Sequence, residues 1–155
     1  MHLDTQGPIN GGVLDYLCGS GEKSRAREVE PVTSHHQYRC ELGSHPDVVD
    51  QLWDTIAPCL PVDCRAIVCG RPVLAAPRCG VIFAAALGTE YALRLAPTHF
   101  ALAQDAGAEV AHYYRTSEVT LDLARQFGRH WVFGAFDRRE PEWCVAALRF
   151  AESVF

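Results

Sequence analysis

Four side chains that bind metals lie close together in the first third of the chain: His35, His36, Cys40 and His45. Imidazole and thiolate groups are good ligands for zinc or nickel. The same segment is also typical of a polar loop whose adjacent histidines are solvated and bind nothing. We therefore predict no metal or other cofactor, and keep a metal site here, within one subunit or shared between two, as an alternative.

The cysteines are spaced too widely for a structural zinc site. Cys59, Cys64 and Cys69 recur at intervals of five, and Cys79 follows ten residues later. Structural zinc sites usually use close pairs of ligands, and two positions of opposite parity on one strand point to opposite faces of a sheet. The chain has 7 cysteines and shows no export signal. We expect reduced thiols without a disulfide framework.

No pattern of residues predicts nucleophilic catalysis. The chain contains neither a Gly-x-Ser-x-Gly turn nor a phosphate-binding Gly-Lys-Ser/Thr loop. His112, Asp122 and Cys144 could be assembled into a triad, but a chain so rich in histidine and cysteine permits many such combinations. We interpret His112 as a half-buried histidine with a neighbouring partner and predict no catalytic residue. The enzyme question stays open, with a non-enzymatic protein favoured.

Aromatic and basic residues alternate along several predicted strands. On one sheet they could form a surface that stacks on a ligand or binds an acidic partner. The alternative is that the aromatic residues fill the pleated sheet and the arginines form a solvated rim. Exposure of Trp131 or Tyr113 would favour the first interpretation. The candidate binding residues are Tyr91, Arg94, Tyr113, Arg115 and Trp131.

Length and composition predict one globular domain. The chain has 155 residues, of which 48% are hydrophobic and 21% charged, and its formal net charge is -5. An acidic protein is a poor general polyanion binder, so nucleic acid is an unfavoured partner, although it is not excluded. The longest apolar run, Val81 to Leu87, is too short to span a membrane. We expect a cytoplasmic protein without membrane contact.

The first structured element is predicted to begin after an N-terminal arm. Residues 1–43 contain one short apolar cluster, Val13 to Cys18, among turn-forming and charged residues. We expect this arm to pack across the main domain or a neighbouring subunit, or else to form a disordered tail. Ser44 and Pro46 then resemble a helix start, and apolar residues recur at helical spacing until Pro58. Residues 44–155 are predicted to form a single α+β domain.

Short β-rich runs separated by turns predict an antiparallel meander over residues 64–69, 72–75, 80–87 and 90–95. A short helix should follow over residues 97–106 and end at Gly107. Strands are predicted over 110–114, over 119–123 (with a short helix as the alternative) and over 131–136, the last of them central or covered by a partner. A final helix after Pro141 should bury Trp143, Ala147, Phe150 and Val154. The predicted fold is an antiparallel meander with helices packed mainly on one face.

Six strings along residues 65–151 are typical of one protein family: Ile67-Val-Cys-Gly70, Gly80-Val-Ile-Phe-Ala84, Tyr91-Ala-Leu-Arg-Leu95, Ala106-Gly107, Tyr113-Tyr114 and the helix from Glu142 to Ala151. They resemble the TfoX N-terminal domain and YjbR-like group. The resemblance implies a regulatory or binding module with an α+β fold, and its YjbR side implies a DNA contact. No enzyme activity follows from it. The family's Met-Phe-Gly-Gly motif keeps only Gly70 here, and the family's lysine after the tyrosine strand is replaced by Arg94.

Three functions follow as hypotheses. The first is a non-enzymatic binding or regulatory module that acts through a protein partner or through self-association as a homodimer. The second is a metal-binding or small-molecule-binding protein, with or without enzymatic activity, that uses histidines and cysteines of the arm. The third is a DNA-binding regulator, which requires arginines such as Arg115, Arg138 and Arg139 to share one face.

Overall fold

A computed structural model describes residues 3–19, 26–32, 60–87, 90–110, 113–115, 120–135 and 141–155. The helices there are α1 (Gly11–Cys18), α2 (Pro97–Asp105), α3 (Leu123–Phe127) and α4 (Pro141–Val154), with a 3-10 turn at Val62–Cys64. The strands are β1 (Val29–Pro31), β2 (Arg65–Val68), β3 (Arg71–Ala75), β4 (Ile82–Leu87), β5 (Glu90–Arg94), β6 (Tyr113–Arg115), β7 (Thr120–Asp122) and β8 (Trp131–Ala135).

An antiparallel meander forms the centre of the protein and confirms the predicted α+β fold. Within the described ranges the main sheet has six strands in the order β1-β2-β3-β4-β5-β8, and β6 pairs with β7 separately. The tight connection from β2 to β3 consists of Cys69 and Gly70, whose φ angles are 49° and 80°. Two consecutive positive φ angles suit the right-handed twist of a hairpin, which is why a glycine is found there.

Both faces of the main sheet are buried, so its strands carry apolar residues at odd and even positions alike. Leu74, Leu93 and Val132 point to one face, where the longer helices α2 and α4 pack. The prediction placed the helices mainly on one face, and this face carries the two longer ones, but the other two helices pack on the opposite face. The opposite face is also covered, because the shorter helices α1 and α3 pack there against residues such as Ala92 and Phe133. The protein therefore has three layers.

Helix α4 buries a slightly different stripe from the predicted one. Trp143 and Ala147 are buried as expected, but Phe150 is only partly buried and Val154 is 56% exposed. At 3.6 residues per turn the four predicted positions share one side of the helix, but the stripe that contacts the sheet is rotated by about 60° around the helix axis, toward Cys144 and Leu148. That stripe consists of Trp143, Cys144, Ala147, Leu148 and Ala151. Phe150 and Val154 are left near the surface.

Strand β8 lies at one end of the main sheet among the described residues, so a central position is wrong, while cover by a partner, the other expectation, stays a prediction. Its apolar character has a different cause, since Trp131, Val132 and Phe133 are buried by helices on both faces. The outer edge of β8 is partly paired as well, because Glu109 and Phe133 exchange two backbone hydrogen bonds of 2.7 and 2.8 Å. Two-sided burial is thus possible even at a sheet edge.

Parts of the N-terminal arm belong to the folded core. Strand β1 pairs with β2, and α1 places Val13, Leu14 and Leu17 in the core. A disulfide joins Cys18 at the end of α1 to Cys69 in the turn between β2 and β3. The expectation of reduced thiols without disulfides is wrong for this pair, whose contact across 51 residues of sequence depends on tertiary packing. The helix predicted between Ser44 and Pro58 lies outside the described residues.

Membrane-spanning segments were searched among the described helices. None of them is long and apolar enough to cross a bilayer.

Candidate functional site

A charged residue interrupts the apolar face that α1 and α3 cover. Arg94 is the last residue of β5 and shares its face with Ala92, two residues earlier. It is directly opposite Trp131 in the register between β5 and β8. Although arginine is rarely buried, the Arg94 residue is only 5% exposed. A buried guanidinium requires a specific explanation.

Two aromatic rings and one backbone carbonyl contact the Arg94 guanidinium. Its central carbon lies 4.9 Å from the ring centroid of Trp131 and 5.4 Å from that of Phe155. These are cation–π distances. Nη2 donates a hydrogen bond of 3.2 Å to the carbonyl oxygen of Ile9. The rings therefore stabilise the charge from its faces and leave most of its edge to other partners.

Two buried N–H donors at this site have no acceptor among the described residues: Arg94 Nε and the neighbouring indole Nε1 of Trp131. A buried donor without a partner costs about 1–3 kcal/mol, and more when the group is charged. Two such donors on stacked side chains are unusual, because more than nine in ten buried polar groups are paired. The site can accept additional hydrogen-bond acceptors.

The charge of Arg94 is also uncompensated. No carboxylate lies within 4.0 Å of its guanidinium in the described ranges, where the ion pair found is Arg27–Asp15. Burial lowers the pKa of Arg94 from its ordinary value to about 10. That value is still well above neutral pH, so the side chain remains a cation. Burying an unpaired cation opposes folding, and an anion beside it would offset this cost.

A cavity of about 450 Å³ opens beside Arg94. Its size falls within the range of small-molecule sites. Arg129 and His130 add polar groups, and the other walls are mainly apolar. Three segments meet there: the loop before α1 with its first turn, the residues after α3, and the end of α4. The lining residues are Pro8, Ile9, Gly12, Arg94, Gln126, Phe127, Gly128, Arg129, His130, Phe150, Val154 and Phe155.

Asn10 holds the N-terminal wall of this cavity in place. Its side chain is fully buried and donates hydrogen bonds of 2.8 Å to the carbonyl oxygens of Asp4 and Gly80. Its Oδ1 accepts a hydrogen bond of 2.9 Å from the backbone of Ile82. The loop carrying Ile9 is thereby tied to the sheet, which positions the carbonyl that contacts Arg94.

The first turn of α1 lies unusually close to α3. A Cβ atom at Gly12 would overlap the backbone carbonyl of Gln126, and the Gln126 side chain donates a hydrogen bond of 3.1 Å to the Gly12 carbonyl. Only glycine permits this approach. The contact closes the cavity between α1 and α3.

The backbone reverses sharply between α3 and β8 and so brings His130 to the cavity. Gly128 and His130 have φ angles of 102° and 73°, in the left-handed region. A histidine there is uncommon and is held by tertiary contacts. The carbonyl of His130 accepts a hydrogen bond of 2.8 Å from the backbone of Leu95, which ties this turn to the end of β5.

This arrangement suits binding of an anion. A guanidinium with free donors binds carboxylate or phosphate oxygens well, and low polarity strengthens the interaction.

The buried Cys64 does not provide a thiolate nucleophile. Burial, with a smaller effect of Asp63 and Glu152, raises the pKa of its thiol to about 12. A protonated thiol of this kind is unreactive.

The predicted binding residues are not found together on one exposed surface. Tyr91 and Trp131 are buried, and Arg94 contacts the ring of Trp131 inside the protein. These residues are buried because helices pack on both faces of the sheet, whereas the predicted binding surface required one exposed face. Tyr113 and Arg115 lie on β6, in the separate two-stranded sheet. Binding by these five residues stays a prediction.

The residues of the alternative metal site, His35, His36, Cys40 and His45, lie outside the described residues, as does His112. Within the part of the chain that the structure describes, no three histidine, cysteine, aspartate or glutamate residues are grouped to hold a metal ion. Asp122, a member of the possible triad with His112 and Cys144, caps α3 by accepting a hydrogen bond of 3.2 Å from the backbone of Arg125. Cys144 is buried in the core under α4.

Sequence reasoning selected Arg94 and Trp131 but missed the other walls of the cavity. Alternation along β5 does not mark Arg94 as buried, since it lies on the same side as the charged Glu90 and opposite Tyr91 and Leu93. The contributions of Ile9 and Phe155 have no local signal, because both come from distant parts of the chain.

Comparison with known proteins gives no family assignment: no family model, no curated protein and no solved structure matches this chain.

Proposed function

We propose that this protein is a non-enzymatic binding module that recognises the anionic group of a small ligand through Arg94. The observation that carries this proposal is a guanidinium only 5% exposed, beside a cavity of about 450 Å³. A carboxylate or phosphate would complete its pairing.

The energetics support a ligand rather than a purely structural role. Replacing a buried charge by apolar side chains often leaves stability unchanged or higher, so a charge with no anionic partner among the described residues does not serve folding efficiently. Sites that are poorly satisfied in the free protein are commonly functional. Here the missing partner is an anion, and the adjoining space can hold one.

Calorimetric titration with sodium acetate, benzoate and inorganic phosphate tests the proposal. We expect at least one of them to bind, and Arg94→Gln to weaken that binding by 30-fold or more, because a charge-assisted hydrogen bond contributes about 2 kcal/mol or more. Arg78→Gln is the matched control, since Arg78 is exposed and outside the cavity. Equal affinity in the wild type and Arg94→Gln, or no binding of any probe, would overturn the proposal.

The pH dependence of binding follows from the pKa of Arg94. Anion binding needs the protonated guanidinium, so affinity is complete below that pKa and is lost as pH rises through about 10. We expect the association constant for benzoate to be level between pH 7 and pH 9 and then to fall by up to about tenfold per pH unit. A constant affinity up to pH 11.5, with circular dichroism showing the folded protein, would contradict this assignment.

A regulatory role through a protein partner or a homodimer is the second candidate function, as the resemblance to the TfoX and YjbR-like group also implies. Leu102 on α2 and Val154 on α4 are 53% and 56% exposed, and exposed apolar groups of this kind are typical of interfaces. Sedimentation equilibrium tests self-association directly. A dimer that Leu102→Ser weakens would support this candidate, whereas a monomer at 100 μM would contradict self-association.

A further inference from the structure

A second concave region lies beside the Arg94 cavity. It is a groove of about 750 Å³ between α2 and α4. Its apolar side chains include Leu102, Val145, Ala146 and Phe150. His99, Glu142, Arg149 and Ser153 supply its polar groups. A mainly apolar groove of this volume exceeds what a small anion alone would need.

The groove and the Arg94 cavity are adjacent because Phe150 lines both of them. The His130 ring, which faces the cavity, packs against Phe150 with ring centroids 5.5 Å apart. On its other side His130 approaches Phe100 of α2, with centroids 6.4 Å apart. Phe150, with the His130 ring packed against it, thus lies at the boundary that the cationic pocket shares with the apolar groove.

We propose that both regions bind one ligand, an aliphatic chain with an anionic head. The head, a carboxylate or a phosphate, would pair with Arg94, and the chain would pass Phe150 into the groove between α2 and α4. This inference rests on the function proposed above. The charge of the pocket and the apolar lining of the groove match the two ends of such a molecule, and neither region alone matches both.

A chain-length series tests this inference with the intact protein. The probes are acetate, butyrate, hexanoate, octanoate and decanoate, all below their micelle concentrations, with octyl phosphate to compare head groups and octanol as the neutral control. Since each buried methylene contributes about 0.8 kcal/mol, we expect affinity to rise up to about fourfold per methylene beyond butyrate. Octanol should bind at least tenfold more weakly than octanoate.

Two matched variants test where the aliphatic chain of the ligand binds. Leu102→Ser removes an exposed apolar side chain from the groove, and Val110→Ser removes one that is 41% exposed and outside both regions. We expect Leu102→Ser to weaken octanoate binding threefold or more and to leave butyrate unchanged. Val110→Ser should leave both affinities unchanged. Circular dichroism confirms folding of each variant.

The outcomes separate this inference from the function on which it rests. Equal affinity for butyrate and decanoate would overturn the inference and leave anion binding at Arg94 intact. A chain-length effect that persists unchanged in Leu102→Ser would also overturn it, because the chain would then lie elsewhere. Failure of every acid and phosphate to bind would overturn both. Tighter octyl phosphate than octanoate binding would support the inference with phosphate as the head.

Discussion

The two ends of α1 are built very differently. At its C-terminal end, Cys18 is buried and joined by a disulfide to Cys69, and the nearby Arg71 lies 5.3 Å from the ring of Tyr16. At its N-terminal end, the preceding loop borders a cavity and gives a single carbonyl to the cation of Arg94. The disulfide ties the first end to the sheet, whereas the second end holds a charge that no carboxylate of the described residues neutralises. We infer that the first end stabilises the fold and the second serves a ligand.

Two arginines illustrate the same contrast. Arg27 forms an ion pair of 2.9 Å with Asp15 and also donates a hydrogen bond of 2.8 Å to the Thr5 carbonyl, at a site where its side chain is 34% exposed. Arg94 is almost fully buried and has no such pair among the described residues. Water can solvate the charge of Arg27, and yet Arg27 has a carboxylate partner. Arg94 is shielded from water and has no carboxylate partner among the described residues.

The largest expected effect on stability comes from the disulfide at the C-terminal end of α1. Replacing both Cys18 and Cys69 by alanine should lower the free energy of unfolding by about 4 kcal/mol, because the disulfide closes a loop of 51 residues in the unfolded chain. Urea denaturation measures the change. Cys79→Ala is the control, since that thiol is free and only partly buried. Equal stability of the wild type and the double variant would show that the disulfide does not stabilise the attachment of α1 to the sheet.

The next largest effect concerns the loop before α1, which borders the Arg94 cavity. Asn10→Ala removes the side chain that makes three buried hydrogen bonds, and we expect the free energy of unfolding to fall by about 3 kcal/mol. Anion affinity should fall too, since the Ile9 carbonyl would lose its position. The exposed amide of Gln104 gives the control, Gln104→Ala. If Asn10→Ala bound benzoate like the wild type, this loop would not shape the pocket.

The smallest effect belongs to the exposed ion pair. Asp15→Asn should change the free energy of unfolding by less than about 0.5 kcal/mol, because solvent screens a pair whose side chains are 34% and 47% exposed. The change should vanish in 1 M salt. A loss above 1 kcal/mol that persists at high salt would show that this end of α1 depends on charge as well as on its disulfide.

Local patterns predicted most of the described elements. Strands β2 to β5 follow from β-rich runs separated by turns, and α2 follows from Pro97 at its start and Gly107, with a φ of 98°, after its end. Helix α1 was not predicted, because two glycines begin it and its apolar cluster is short. The short helix α3 appeared only as an alternative to a strand.

The candidate site could be predicted only in part. Arg94 and Trp131 stood out as a basic and an aromatic residue on strands, but their burial depends on helices that cover the second face of the sheet. The carbonyl that contacts Arg94 belongs to Ile9, 85 residues earlier in the chain. Contacts of such long range leave no trace in a single sequence, so the same residues were interpreted as an exposed surface.

The most direct test of the account compares stability and binding in Arg94→Met. Methionine keeps an unbranched, apolar side chain in place of the arginine stem but removes the guanidinium and its buried charge. We predict a free energy of unfolding within about 1 kcal/mol of the wild type, or higher, together with loss of anion binding. A loss of stability of about 3 kcal/mol or more would contradict the account, because Arg94 would then be a structural cation whose charge the fold itself requires.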